Sequence, residues 1–414
     1  MKKVIVSTLL LSITAAVAAA AAAAAAVTST EVINNIVVFG DSYSDTGNKQ
    51  RLTNGPLWSE DLAVGWNASL YSFAFSGAVC DNTMYPKNSQ KDYIPSITDQ
   101  VEMYYKEKLD LNNEETAIVF WVGLNDIYNI FEKGVKDTEA ELKKVVECIG
   151  TNVRNIRKVF SSNKFIVLGV PPIEKMPYYA NSDEAESREK AANHLNELLT
   201  KDVEKMNKHS QHLELDRVDI HKLLDDIVDS PELFGLKNAH DSYWDACQGL
   251  CADDIDSYVW WDKTHLTGGV HRLIANSILK AGSLAPETYL EDSVNVQELI
   301  NQTTHTKFKS PKYKGAKGTG EINRIIEKLK QEKKEKAKEN EAEEIEEMSE
   351  KGPQKKSKMI YFGMTCTVVA CIGFFLFLKN RRRGSHLAAL SGLLKNNKPD
   401  RGRFMPLRNM DSEV

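Results

Sequence analysis

Three short runs, far apart in the chain, carry residue types that suit acyl transfer. The first, Val37-Val38-Phe39-Gly40-Asp41-Ser42-Tyr43-Ser44-Asp45-Thr46-Gly47-Asn48, takes an apolar strand-like stretch into a turn that presents Ser42. A serine hydroxyl is a poor nucleophile at neutral pH; it needs a histidine to take its proton and a carboxylate to fix that histidine's tautomer. Asp262-Lys263-Thr264-His265 supplies both, three residues apart in a loop just before a helical pattern that begins at Gly268. Gly123-Leu124-Asn125-Asp126 adds a neutral side-chain amide, a donor suited to an oxyanion.

Each of these residues has a plainer reading. Ser42 suits a helix N-cap, Asn125 and Asp126 suit a turn, and His265 suits a solvated imidazole. His271 competes with His265 as a base, but no carboxylate closely precedes it, so it reads as packing or capping. The plain readings must all coincide for catalysis to be absent, and the mutual roles of the runs favour catalysis.

The elements that must position these residues alternate along residues 36–281 as short β-branched runs and longer helical ones, the habit of an α/β layered domain. Strands are expected at Ile36 to Phe39, Ala117 to Val122 and Lys164 to Val170, and helices at Glu139 to Phe160, Glu184 to Lys208 and Gly268 to Lys280. This pattern implies a parallel sheet with helices on both faces.

Together the runs resemble the four blocks of the GDSL (SGNH) esterase/lipase family: Gly40-Asp41-Ser42 with Ser44 to Asn48, Phe73-Ala74-Phe75-Ser76-Gly77-Ala78, Gly123 to Asp126, and Asp262 to His265. Gly55-Pro56-Leu57-Trp58, Gln100-Val101, Val170-Pro171-Pro172-Ile173 and Trp260-Trp261-Asp262 add to the likeness, which is greatest to fungal and plant members, including the fungal carbohydrate acetylesterases. The resemblance implies a three-layer α/β/α fold with Ser42 as nucleophile, His265 as base and Asp262 as its orienting carboxylate. It also implies an oxyanion hole built from the Ser42 and Gly77 backbone amides and the Asn125 side chain. The order Ser, Asp, His is that of α/β hydrolases, although no Gly-x-Ser-x-Gly elbow is present. Tyr43 and Leu266 stand where the family usually has leucine and proline, and neither position carries the chemistry. Phe75-Ser76-Gly77 replaces the commoner Gly-Gly, which is expected to narrow the acyl pocket. Trp58, Trp66, Trp260 and Trp261 lie near the motifs, as sugar-stacking rings or as plain core.

The chain's 414 residues and 42% hydrophobic content suffice for a large core, and a net charge of −5 with basic residues gathered near the C-terminus gives no nucleic-acid footprint. Residues 1–26 resemble a signal peptide, with an uncleaved anchor helix as the alternative. Residues 27–290 are the expected hydrolase domain, 291–358 a charged stalk, and 379–414 a cytoplasmic tail. Residues 359–378 carry no charge, and a helix of that length just crosses a hydrocarbon core of roughly 30 Å, which makes a single-pass membrane protein with a lumenal or extracellular catalytic domain.

Cys80, Cys148, Cys247 and Cys251 would be lumenal; the short spacing pairs Cys247 with Cys251 and leaves Cys80 for Cys148. A zinc site with His240 is the alternative use of the close cysteines, although ligand spacing is incomplete. Asn67 and Asn301 begin glycosylation tripeptides. No cofactor and no metal are called for, and the oligomeric state stays open. The expected activity is hydrolysis of short-chain, acetyl esters of a small molecule or carbohydrate; a lipase or lysophospholipase, and an inactive stalked binding module, are the other readings.

Overall fold

The computed structural model of the protein describes residues 32–85, 93–302 and 306–350. Its centre is a five-stranded, wholly parallel sheet: β1 (Asn35–Gly40), β2 (Ser69–Ser72), β3 (Thr116–Trp121), β4 (Lys164–Leu168) and β5 (Glu214–Val218), in the order β2-β1-β3-β4-β5. Strands of a parallel sheet are covered on both faces, so they read as unbroken apolar runs. That is what Val37, Val38 and Phe39 in β1, Ile118, Val119 and Phe120 in β3, and Phe165, Ile166 and Val167 in β4 provide, and all are buried. Phe39 stacks on Phe120 at 5.2 Å between ring centroids, which ties β1 to β3 across the middle of the core.

The helices that cover the sheet and hold its loops are α1 (Trp58–Gly65), α2 (Ile97–Glu107), α3 (Leu124–Glu132), α4 (Thr138–Phe160), α5 (Ala185–His209), α6 (Ile220–Asp229), α7 (Tyr243–Cys247) and α8 (Gly268–Lys280). Helix α1 packs on α8 and against β1 and β2, while α2 packs on β1 and α4, α4 on α5, and α5 on β5. These two helical layers with the sheet between them make the three-layer α/β/α sandwich. Polar side chains fix several helix starts: Ser96 accepts from Asp99 N at α2, and Asp137 from Ala140 N at α4. A small parallel pair, β6 (Asn238–Ser242) and β7 (Tyr258–Trp260), stands apart from the main sheet.

The expected strands and helices agree with these bounds to within two residues. The compact unit runs past the expected boundary at 290. Among the described residues, 32–322 form one compact unit, including helix α9 (Val296–Asn301), and the second unit begins at Asn323. Helix α10 (Glu321–Glu350) runs into that second unit and is studded with local ion pairs such as Lys330–Glu327 at 2.6 Å. The expected signal segment (1–26), membrane segment (359–378) and tail (379–414) lie outside the described residues, and none of the described helices is long and apolar enough to cross a membrane.

Candidate active site

With strand order 2-1-3-4-5, the connections leave β1 and β3 in opposite directions, and their C-terminal ends open the crevice where such sheets bind ligands. The turn after β1 carries Ser42, and Gly123 after β3 starts α3 with Asn125 in its first turn. The loop after β2 carries Gly77. Its φ of 89° favours glycine, and a Cβ there would stand 2.9 Å from Ile94 Cδ1. The fourth run arrives from outside the sheet: β7 ends at Trp260, Trp261 N donates to His265 O at 2.7 Å, and Trp260 bridges Leu266. The Asp262–His265 loop is thereby pinched into a tight turn over the ends of β1 and β3.

Ser42 Oγ lies 3.0 Å from His265 Nε2. On its other side, His265 Nδ1 lies 2.8 Å from Asp262 Oδ2 and 2.9 Å from Oδ1. Asp262 Oδ1 also accepts from Thr264 N and His265 N, each at 2.8 Å, so the carboxylate is locked by its own loop. Burial alone would raise the Asp262 carboxyl, but the His265 hydrogen bond and charge, with the loop amides, hold it below its ordinary range. The dyad therefore stays ionised on the acid side and keeps Nδ1–H pointed at Asp262, which frees Nε2 to face the serine.

Ser42 N and Gly77 N donate to no acceptor among the described residues. Asn125 Nδ2 donates to Ala78 O at 3.1 Å, while its contact with Asp41 Oδ2 is long at 3.4 Å. The first bond orients the amide and the weak second one leaves a hydrogen for an oxyanion. Burial raises the carboxyls of Asp41 and of Asp126 to about 7. Asp126 accepts from Cys80 N at 3.1 Å and so ties α3 to the chain just beyond Gly77.

The structure brings Ser42, Asp262, His265, Gly77 and Asn125 into one crevice and adds two residues that the motifs alone do not reveal. Tyr43, expected to be a departure from the family that carries no chemistry, sends its hydroxyl to Thr264 O at 2.6 Å and stacks on Trp121 at 4.8 Å, which holds the Ser42 turn against the Asp262–His265 loop. Asp45 gathers Gly47 N at 2.8 Å, Asn48 N at 2.7 Å and Ser76 N at 2.8 Å, joining the first and second blocks. His271 is fully buried, and that burial, with the nearby Arg51 and His265 charges, pushes it down to about 3; it is packing, as expected. Of the four tryptophans read as sugar-stacking rings or as core, Trp58, Trp66 and Trp260 are buried core and Trp261 is partly open.

Both expected disulfides are present, Cys80–Cys148 and Cys247–Cys251, with Cα separations of 6.2 and 4.9 Å. Cys247 and Cys251 are thus not thiolate ligands, and no metal-holding cluster of His, Cys, Asp or Glu occurs among the described residues. Asn67 is exposed and accepts from Lys307 Nζ at 3.0 Å; Asn301 is exposed at the end of α9.

The GDSL-like Lipase/Acylhydrolase family matches residues 36–278, more than half of the chain and all of the crevice. The chain belongs to that family, and by class it is a carboxylic ester hydrolase. Similar proteins include the thermolabile hemolysin of Vibrio parahaemolyticus, 25% identical over 61% of this chain and 64% of that protein, slightly less than two thirds of its length. An acetylesterase of Thermothelomyces thermophilus is 24% identical over 59% of this chain and 87% of its own, and one of Hypocrea jecorina is 22% identical over 60% and 88%. Among solved structures, a GDSL-like lipase from Parabacteroides merdae shares 14% identity at a TM-score of 0.38, over 61% of this chain and 97% of that one.

Proposed function

We propose that this protein is a serine ester hydrolase that cleaves short-chain esters, acetyl first, from a carbohydrate or polyol through an acyl-enzyme intermediate. The observation that carries the reading is the continuous hydrogen-bonded chain from Ser42 Oγ through His265 to Asp262. In this mechanism Ser42 Oγ attacks the ester carbonyl as its proton passes to His265 Nε2, and the imidazolium is stabilised by Asp262. Negative charge develops on the carbonyl oxygen against Ser42 N, Gly77 N and the Asn125 amide; one such donor is worth about 3 kcal/mol of transition-state stabilisation. Collapse expels the alcohol with the proton from Nε2, and water, activated by the same nitrogen, releases the acid and restores Ser42.

The similarity to two fungal acetylesterases supports the short acyl preference. In the same reading, residues 359–378 anchor the chain as a type I membrane protein with the catalytic unit on the lumenal or outer face, and Asn67 and Asn301 are glycan acceptors. Comparing kcat/KM on nitrophenyl acetate, butyrate and palmitate is the test. Acetate should lead; a higher value on palmitate would replace this reading with a lipase, and no turnover at all, with no labelling of Ser42 by a phosphonate, would leave a binding module.

A further inference from the structure

Residues 307–321 lie beyond the family's segment and were expected to be stalk, yet they are bonded along the edge of the sheet to the loop that carries Gly77. The contact begins at the edge strand, where Leu70 N donates to Lys307 O at 3.0 Å and Ser72 N to Ser310 Oγ at 2.7 Å. These bonds occupy amides that an edge strand otherwise leaves open. Lys312 Nζ then donates to Thr46 O, in the turn after the nucleophile. Tyr313 is the keystone. Its amide donates to Asn48 Oδ1 at 2.8 Å, and the same Asn48 side chain donates to Ser72 O at 2.8 Å and Ala74 O at 3.0 Å. Its ring stacks on Phe73 at 4.0 Å, in the same loop.

Beyond it, Gly315 lies so close to the Phe75 ring that a Cβ would stand 3.1 Å from Phe75 Cε1 and 3.1 Å from Pro95 Cγ. The far end is clasped by Glu102 of α2, which accepts from Thr319 N at 2.6 Å, Gly320 N at 2.9 Å and Glu321 N at 3.0 Å. Every residue from Ser72 to Phe75 is thus held by the strap directly or through Asn48, and Ser76 and Gly77 continue from there without a break.

We infer that residues 307–321 form a strap that positions the oxyanion loop, with Tyr313 as its chief positioning residue. An oxyanion donor is worth its full value only when held where the charge develops. Asp45 holds this loop at Ser76 N and β1 holds it at Phe73 N and Phe75 N; stacking on Phe73 and the Asn48 bridge add a hold from the outer edge of the sheet. The inference rests on the ester hydrolase reading. It adds that part of the catalytic apparatus lies some thirty residues past the family's segment, which ends at 278.

The test uses the full chain with Tyr313→Ala and Tyr313→Phe, and measures turnover of nitrophenyl acetate per phosphonate-titrated Ser42, well below the melting temperature. Tyr313→Ala should lower kcat about tenfold with KM within about twofold, a part of the ~10²-fold lost when an oxyanion donor is removed outright. Tyr313→Phe should match the wild type, because the Tyr313 hydroxyl, though buried, has no partner among the described residues. A Tyr313→Ala chain that melts earlier but turns over normally per titrated site would reduce the strap to a structural brace and overturn the inference. A wild-type chain that hydrolyses no ester would overturn the hydrolase reading and the inference together, so the two failures are told apart.

Discussion

In the proposed mechanism, removing one oxygen at Ser42 should abolish turnover, because there the hydroxyl supplies the bond of the intermediate but little packing. Ser42→Ala is expected to cost about 10⁶-fold in kcat and Asp262→Asn about 10⁴-fold, with thermal unfolding close to wild type for both. Near wild-type turnover in Ser42→Ala would end the triad assignment. These residues were legible in the sequence because each sits in a short run whose chemistry is local: Asp262 and His265 are three residues apart and bond directly. Tyr43 and Asp45 were not legible, because their roles are contacts; the Tyr43 partner, Thr264, lies 221 residues away. The buried carboxyls behave differently from the triad. Burial raises Asp126 to about 7, against roughly 3.9 in an unfolded chain. A raised carboxyl contributes most below the unfolded value, and that contribution is lost as pH climbs toward 7. Asp126→Asn should therefore lose less melting temperature than wild type between pH 5 and pH 8; parallel curves would show that Asp126 does not titrate there.

At the level of elements, the site is a meeting of loops that the sheet alone does not join. Strands β1, β3 and β4 announced themselves as apolar runs, but β2 is the half-exposed edge Ser69–Ser72, and β5 is Glu-Leu-Asp-Arg-Val. The Asp216 and Arg217 side chains of β5 are buried with partners, Ser283 Oγ at 2.7 Å and Asp219 at 3.3 Å, so tertiary pairing overrides a sequence that looks like a surface. The acid-base loop is tied to the nucleophile turn chiefly through Tyr43. Tyr43→Phe keeps the stack on Trp121 but leaves Thr264 O without that bond, which costs about 1 kcal/mol of stability. The expected outcome is a small fall in the urea midpoint and a several-fold fall in kcat, since His265 comes directly after Thr264. Unchanged kinetics with the same loss of stability would mean the Asp262–His265 turn is held well enough by its own bonds.

On the scale of the whole molecule, the catalytic unit and the charged helix beyond it differ in kind. Every residue of the crevice and of the strap lies within 32–322, whereas α10 beyond Ile322 carries mostly charged residues with local i,i+3 and i,i+4 pairs, which add a few tenths of a kcal/mol each to a helix. Composition made the charged run legible but not where the compact unit ends, because Lys307 to Lys317 looks like linker until Tyr313 finds Phe73 and the Thr319 to Glu321 amides find Glu102. If the proposed anchor is 359–378, a chain ended after 358 keeps the triad, the oxyanion loop and the strap. It should appear in the medium, remain soluble after a carbonate wash, and hydrolyse nitrophenyl acetate with the kcat/KM of the full chain. Retention of that truncated chain in the membrane pellet would place the anchor at the N-terminal apolar run instead, as an uncleaved helix.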